Sequence, residues 1–115
     1  MTYQWCIFTA MLDPVRGSEQ AGQRPVLVVS RETINQILPV VNVVPLTSLK
    51  SPERRIYPNE VFLPAGAGGI SVDSIALCYQ IRTLDKSRLL TEIGELSDRK
   101  LRSQVLAALR FQLDI

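Results

Sequence analysis

The chain has 115 residues, a length typical of one domain with a single core, and we predict one domain over residues 1–115. Its residues are 46% hydrophobic and 21% charged, which excludes intrinsic disorder, a collagen-like repeat and a coiled coil as the main structure. Thirteen Lys and Arg against eleven Asp and Glu leave a net charge of +2, so any surface that binds nucleic acid must be a local one.

The prolines divide the chain, because all seven lie from residue 14 to residue 64. Short strands and loops are therefore predicted for the first two-thirds, and the last third is free to form helices. Apolar and β-branched runs predict five strands, at residues 3–12, 26–29, 40–46, 56–63 and 74–83. Five short strands with long loops favour a small barrel or half-barrel, in a mainly β member of the α+β class.

Helical segments are predicted at three places. Residues 31–38 fit one or two helical turns, and residues 85–91 fit a short helix with Asp85 as its cap. The clearest helix covers residues 98–113, with Ser97 as N-cap and Asp98 in the first turn, where the helix dipole favours a carboxylate. A buried stripe is predicted for its apolar residues Leu101, Val105, Ala108, Leu109 and Leu113.

A long polar loop at residues 13–25 separates the first two predicted strands. Connections between strands usually take about 2–5 residues, and longer loops are disproportionately functional. Arg24 stands at the end of the loop, and Pro25 biases it toward an extended conformation. A cation at a rigid strand start is suited to placement against a phosphate, and a plain surface arginine has the same signature.

Two further segments place polar residues at strand ends. Thr47 and Ser48 follow the apolar run 40–46, which is also the usual composition of a strand-to-turn exit. Thr47 and Lys50 have the spacing of a hydroxyl–lysine dyad, which keeps a hydrolase as a third and weaker hypothesis. In the last predicted strand, Gln80 and Arg82 are expected on one face, opposite the apolar residue between them.

Absent residue types narrow the chemistry. The chain has no histidine, which removes Ser-His-Asp and Cys-His nucleophiles, the two-histidine nuclease mechanism and nearly all zinc hydrolases. Cys6 and Cys78 are too few for a disulfide framework or a zinc site, so we predict two free, buried thiols and no bound metal. Residues 66–69 are glycine-rich without the Gly-Lys-Ser/Thr of a phosphate-binding loop, and are predicted to be a hairpin loop.

No membrane segment is predicted. The longest apolar region, residues 37–46, is interrupted by two prolines and Asn42, whereas a membrane helix needs about 20 residues. The N-terminus lacks the basic region and cleavage site of a signal peptide. A cytoplasmic location is the expectation.

Three segments together resemble the MazF/PemK family of toxins from bacterial toxin–antitoxin pairs. The first is residues 13–30, with Asp-Pro at its start, Gly-Ser-Glu-Gln at 17–20 and Arg-Pro at 24–25. The second is Val-Pro-Leu-Thr-Ser at residues 44–48, and the third is Gln-Ile-Arg-Thr-Leu-Asp-Lys at residues 80–86. Their order and spacing suit that family over roughly residues 7 to 113.

The resemblance implies a small SH3-like β-barrel of the CcdB/MazF type with a C-terminal helix, acting as a homodimer. It implies a sequence-specific endoribonuclease that cuts single-stranded RNA without metal or other cofactor, and a cognate antitoxin that blocks the RNA groove. By this resemblance the catalytic residues are Arg24 and Thr47. The candidate RNA-binding residues are Ser18, Glu19, Gln20, Ser48 and Gln80, together with Arg54 and Arg55, which are equally well explained as solvated loop charges.

General chemistry agrees with that assignment. RNA carries its own nucleophile, the 2′-hydroxyl, so the protein has only to align it and stabilise charge on the phosphorane. Arg24 is expected to supply the charge and Thr47 a hydrogen bond, with Glu19 or water as the base, because a guanidinium keeps its proton at pH 7.

Three expectations remain open at this point. The family usually begins its first strand with glycine and an acidic residue, where this chain has Trp5 and Cys6, so we expect a shifted strand start and altered electrostatics. For the dimer contact the candidates are Leu109, Phe111 and Leu113, and the alternative for Phe111 is packing on its own barrel. The alternative function is a non-catalytic module on the same fold, either a degenerate toxin that only binds antitoxin or a CcdB-like gyrase poison.

Overall fold

The computed structural model describes all of residues 1–115, as seven strands and two helices. The strands are β1 (Cys6–Met11), β2 (Gln23–Val28), β3 (Val40–Ser48), β4 (Glu60–Leu63), β5 (Ser74–Leu77), β6 (Arg82–Asp85) and β7 (Leu89–Glu95). The helices are α1 (Glu32–Asn35) and α2 (Arg99–Leu113), and single 3₁₀ turns cover Ala67–Gly69, Cys78–Gln80 and Lys86–Arg88. The prediction of a mainly β fold with a C-terminal helix is confirmed.

All strands belong to one antiparallel sheet in the order β4-β5-β3-β2-β1-β7, with β6 also paired to β3. The end strands β4 and β7 are not hydrogen-bonded to each other, so the sheet does not close into a ring.

Strand β3 is the branch point of the sheet. Its first half pairs with β6, its middle with β2, and Leu46 to Ser48 pair with β5. Pro45 is the last residue paired with β2, directly before the pairing with β5 begins. Because proline has no N–H to contribute to a ladder, it fits such a change of partners. The exchange carries Thr47 and Ser48 to the far end of β3.

Both faces of the central strands are buried, which explains why their sequences read as continuous apolar runs. One cluster of 13 buried residues includes Ile7, Leu27 and Leu46, and residues of α2 complete it. A second cluster of nine lies on the opposite face and includes Phe8 and Val28. Cys6 and Cys78 are buried free thiols, as predicted, and burial raises the pKa of the Cys78 thiol to about 12.

The N-cap of α2 is Asp98, so the prediction of Ser97 was wrong by one residue. The Asp98 carboxylate accepts hydrogen bonds from the N–H groups of Lys100 and Leu101, at 2.8 and 3.2 Å. An aspartate at this position satisfies two free amides and also has the charge that the helix dipole favours.

Several predicted elements are shorter than expected. The strand predicted at residues 56–63 is only Glu60–Leu63, and the turns predicted at residues 31–38 form a helix only over Glu32–Asn35. Residues 85–91 are not one helix: Asp85 does cap a 3₁₀ turn by accepting from the Ser87 N–H at 2.9 Å, but β7 begins at Leu89 and pairs with β1. The strand predicted at residues 74–83 is interrupted by the 3₁₀ turn Cys78–Gln80. The glycine-rich residues 66–69 connect the antiparallel strands β4 and β5, which confirms a hairpin loop.

The N-terminal residues are held by Glu32. Its carboxylate accepts hydrogen bonds from the N–H groups of Tyr3 and Gln4, at 3.0 and 2.8 Å. Partial burial acts to raise its pKa, but hydrogen bonds from Gln4, Gln36 and Tyr3 outweigh that effect and lower the pKa to about 2.

Trp5 stands directly before β1 with φ 67°, in the left-handed region that favours glycine. The chain therefore has a glycine-favoured backbone conformation at residue 5 although the residue is tryptophan, and β1 begins directly after it at Cys6.

Candidate active site

The loop between β1 and β2 is closed at its neck. The N–H of Leu12 donates to the Gly22 carbonyl at 2.9 Å, and the N–H of Gly22 donates to the Asp13 carboxylate at 3.0 Å. Gly22 has φ 73°, a conformation that a side chain would strain. The guanidinium of Arg88 donates to the Met11 carbonyl at 3.2 Å and also to the carbonyl of Asp13. The loop is therefore fixed to the sheet at both of its ends.

Gln80 fixes the middle of the same loop from sixty residues away. Its side-chain oxygen accepts from the Gln20 N–H at 2.8 Å, and its amide nitrogen donates to the Ser18 carbonyl at 3.3 Å. The 3₁₀ turn Cys78–Gln80 makes this contact possible, because it brings the chain out of β5 beside the loop. Three of the predicted RNA-binding residues therefore form one hydrogen-bonded unit.

A cavity of about 360 Å³, here called the first cavity, lies where this loop meets the 3₁₀ turn. It is lined by Leu12, Ser18, Glu19, Gln20, Pro45, Tyr79, Gln80, Ile81 and Arg82. Glu19 is tied back within its loop, because its carboxylate accepts a hydrogen bond from the Arg16 N–H. Gln80, Ile81 and Arg82 all line this cavity, and Ile81 also packs against the core, as expected for the apolar residue between the polar pair.

Two further cavities continue the first one. The second, also about 360 Å³, is lined by Gln20, Thr47, Ser48, Lys50, Ser51, Arg54, Leu77 and Tyr79. The third, about 270 Å³, is lined by Arg24, Pro25, Leu46, Thr47, Ser48, Gly69, Ile70, Ser71, Val72, Ser74 and Ile93. Gln20 and Tyr79 are shared by the first two, and Thr47 and Ser48 by the last two. We call the three together the groove.

Arg24, Thr47 and Ser48 meet in the third cavity. The first comes from β2, which pairs with β3, and the two hydroxyls come from the end of β3 beyond Pro45. The Nε–H of Arg24 donates to the Ala21 carbonyl at 3.1 Å, which fixes the plane of the guanidinium while its two terminal nitrogens remain available. A planar fork beside two hydroxyl donors is suited to a phosphate group.

Of the two loop arginines, only Arg54 lines the groove. Its guanidinium is paired with the buried carboxylate of Glu60 in two hydrogen bonds of 3.0 and 2.9 Å. The hydrogen bond from Arg54 lowers the pKa of Glu60, and the same bond raises the pKa of Arg54. Much of this positive charge is thus neutralised. Arg55 lines none of the three cavities, and its guanidinium lies 5.2 Å from the ring centre of Tyr57.

Sequence reasoning gave no RNA-binding role to Tyr79 or Arg82, and it placed Lys50 only in the weaker hydrolase hypothesis. Tyr79 is 41% exposed between the first and second cavities. Arg82 lines the first cavity and donates to the Leu12 carbonyl at 3.3 Å. Lys50 lines the second cavity with Thr47. The polar pair Gln80–Arg82 was a usable signal for Arg82, whereas nothing in the local sequence distinguished Tyr79 from a core aromatic.

Metal binding and membrane insertion each require particular structural features. No group of three or more His, Cys, Asp or Glu side chains is placed so that it could hold a metal ion. Neither helix has the length and apolar character that crossing a bilayer requires.

The fold is an open antiparallel sheet with a C-terminal helix, and arginine side chains line a groove on its surface. These features define a small, mainly β protein with a polar surface groove. The chain belongs to the family of PemK-like, MazF-like toxins of type II toxin–antitoxin systems, whose model matches residues 3–113. The resemblance noted in the sequence is thereby confirmed.

Individual relatives agree with this membership. Endoribonuclease MazF9 of Mycobacterium tuberculosis is 40% identical over 114 residues, which cover 95% of this chain and 93% of the relative. Endoribonuclease MazF of Staphylococcus saprophyticus is 38% identical over 96 residues, covering 84% and 78%. A solved endoribonuclease in complex with its cognate antitoxin, from a mycobacterial species, shares the fold with a TM-score of 0.80 at 22% identity, over 100% of this chain and 97% of that one. Both named sequence relatives are enzymes, which disfavours the non-catalytic alternative.

Proposed function

We propose that this chain is the toxin of a toxin–antitoxin pair and a sequence-specific endoribonuclease that cleaves single-stranded RNA. The observation that carries the proposal is the third cavity, where the fixed guanidinium of Arg24 and the hydroxyls of Thr47 and Ser48 line one space. The groove extends from there through the second cavity to the first, where Gln80 holds the β1–β2 loop, so a strand of several nucleotides has polar partners along the groove beyond a phosphate in the third cavity. Family membership and two endoribonuclease relatives support the same reaction.

The reaction we propose uses the substrate's own nucleophile. The ribose 2′-oxygen attacks phosphorus, a new P–O2′ bond forms, and the P–O5′ bond breaks to leave a 2′,3′-cyclic phosphate and a 5′-hydroxyl. Arg24 stabilises the extra charge on the phosphorane oxygens, and Thr47 donates a hydrogen bond to one of them. The 2′-hydroxyl proton passes to water, because Glu19 lines the first cavity and not the third. A second water molecule protonates the departing 5′-oxygen.

The test is incubation of the pure protein with a long RNA in the presence of EDTA, followed by mapping of the cut ends. The proposal predicts cuts at a recurring sequence, with cyclic or 3′-phosphate on one side and 5′-hydroxyl on the other. Arg24→Ala and Thr47→Val, purified in the same way, serve as controls against contaminating nuclease. Loss of all cleavage on chelation would contradict the metal-free mechanism, and equal cleavage by both variants would remove these residues from it.

A homodimer is part of the proposal. Phe111 is 62% exposed and Leu113 is 49% exposed at the end of α2, which leaves apolar surface for a second copy. Leu109 is buried in the chain's own core and is no longer a candidate for the contact. Sedimentation should give about twice 12.9 kDa, and Phe111→Glu should shift the protein toward monomer, whereas Ile37→Glu, at an exposed site away from α2, should not. A wild-type monomer at micromolar concentration contradicts this part of the proposal.

The remaining partner we propose is a cognate antitoxin that covers the groove, in a cytoplasmic setting that suits two free thiols. Co-expression with its cognate antitoxin should give a stable complex that no longer cuts RNA. Arg24→Ala should still form that complex if the antitoxin covers a surface wider than the third cavity.

A further inference from the structure

Tyr79 is held rigidly at the middle of the groove. It is the central residue of the 3₁₀ turn Cys78–Gln80, and both of its neighbours are fixed. Cys78 is fully buried in the core, and Gln80 is hydrogen-bonded to the β1–β2 loop at two points. The tyrosine side chain is nevertheless 41% exposed. The groove therefore presents an aromatic ring on a rigid support, although a smaller apolar side chain would be enough to exclude water from its wall.

The ring stands at the junction of two cavities. Tyr79 lines both the first and the second cavity, and it is the only aromatic residue that lines any part of the groove. The second cavity shares Thr47 and Ser48 with the third, so the ring lies one cavity away from the site proposed for the scissile phosphate. That separation is suited to a neighbouring nucleotide of the same strand.

An unpaired acceptor lies in the same wall. Gln20 also lines both cavities, and its side-chain oxygen is buried without a hydrogen-bond partner. A buried polar atom without a partner costs free energy, which a ligand recovers if it supplies a donor. The amino and imino groups on the edges of nucleic-acid bases are such donors.

We propose that Tyr79 is an RNA-binding residue that stacks one base beside the scissile phosphate, and that Gln20 is the specificity-determining residue, which accepts a hydrogen bond from the edge of that base. The inference rests on the proposed endoribonuclease function and names the part of the site that holds this base. Aromatic stacking tolerates any base and supplies affinity. The unpaired acceptor of Gln20 then discriminates among bases by whether their edge presents a donor at that point.

The experiment combines variants with a modified substrate. A short RNA around one mapped cut site is prepared with an abasic ribonucleotide at each position in turn. Wild-type protein should lose roughly 10- to 100-fold in kcat/KM when the stacked base is missing, the range seen for single base–aromatic contacts. Tyr79→Leu should show a similar loss on intact RNA and no additional loss at that one abasic position. Tyr79→Phe should retain wild-type behaviour, because the ring is kept.

The outcomes separate this inference from the proposed function. If the losses from Tyr79→Leu and from every abasic position simply multiply, the ring stacks on no base and the inference is wrong. A Tyr79→Phe variant as weak as Tyr79→Leu assigns the effect to the hydroxyl and also overturns it. Failure of wild-type protein to cut any RNA refutes the proposed function instead, and stacking is then read from anisotropy of the same oligonucleotides. Gln20→Ala should relax discrimination at the position that Tyr79 identifies, and unchanged discrimination removes Gln20 from the role.

Discussion

Replacement of Arg24 by lysine tests whether the third cavity works through a fork or through charge alone. The guanidinium uses Nε to donate to the Ala21 carbonyl at 3.1 Å, which leaves its two terminal nitrogens free to donate, and Arg24 lines the third cavity. Lysine keeps the charge but has neither the anchor nor two parallel donors. Loss of one preorganised donor typically costs about 10²–10³ in rate, so Arg24→Lys should fall nearly as far as Arg24→Ala. Arg24 is exposed with one hydrogen bond, so the free energy of unfolding should change by less than about 1 kcal/mol.

The assay is single-turnover cleavage of a short RNA at saturating protein, with EDTA present, alongside urea unfolding and RNA binding by anisotropy. Arg31→Lys is the matched control, because Arg31 is exposed and lines none of the three cavities. A lysine variant within about threefold of the wild-type rate would show that charge is sufficient and refute the fork. If Arg24→Lys lowered both the cleavage rate and, by a comparable free energy, the stability toward urea, Arg24 would have a structural role.

Three further predictions concern the scaffold around the groove. Gln80→Leu should raise hydrogen exchange at the Gln20 amide by about fivefold, since one hydrogen bond contributes about 1 kcal/mol, while Gln80→Glu keeps the acceptor and should protect it. Hydrogen bonds lower the pKa of Glu32 from 4.5 to about 2, so the stabilisation of the fold by this carboxylate is present above pH 4.5 and is lost as pH falls toward 2. Glu32→Gln should remove this pH dependence, about 1–2 kcal/mol after solvent screening, from the free energy of unfolding measured in urea. Gly94→Ala should lower the free energy of unfolding by about 1–3 kcal/mol, because the added Cβ would lie 2.5 Å from the Gly68 carbonyl oxygen.

The local sequence was sufficient to predict the strands and the helix that are stabilised mainly by the pattern of their own side chains. The runs at residues 26–29 and 40–46 are strands because β-branched residues fill both buried faces. The last helix buries Val105, Ala108 and Leu109 of its predicted stripe, but the prediction was wrong for Leu113, which is 49% exposed near the end of the helix. The N-cap was missed by one position because Ser97 and Asp98 are both good caps, and only the backbone geometry decides between them. Strand β7 was missed for a different reason. Its residues form a strand because they hydrogen-bond to the edge of β1, and this long-range pairing cannot be read from the local sequence.

The groove shows the same division. The chemistry of Arg24, Thr47 and Ser48 was visible in their residue types, and the family resemblance added Gln80 as their companion. The clamp from Gln80 to the β1–β2 loop joins residues sixty positions apart, so spacing along the chain carried no trace of it. The pairing of Arg54 with Glu60 was also invisible, although it decides how much of that arginine's charge is left for a phosphate. Long-range partners, more than residue identities, determine which predicted side chains are free to act.

The effect on stability of having Trp5 where the family usually has glycine can be measured. Its φ of 67° is a conformation that costs an L-residue roughly 1–2 kcal/mol relative to glycine. The backbone is held there by two hydrogen bonds, from the Trp5 N–H to Val28 at 2.8 Å and from the Leu96 N–H to Trp5 at 2.7 Å. Packing on the core and the Arg102 guanidinium, 5.3 Å from the ring centre, offset the strain.

Truncation of this ring separates the backbone cost from the packing gain. Both Trp5→Ala and Trp5→Gly lose the packing, but only alanine keeps the strained conformation. Trp5→Gly should therefore be more stable than Trp5→Ala by about 1 kcal/mol, the reverse of the order found where φ is negative. Urea unfolding of the three proteins measures this directly. An alanine variant at least as stable as the glycine variant would mean that residue 5 is not held in the left-handed region, and the strand start would then differ from the one described.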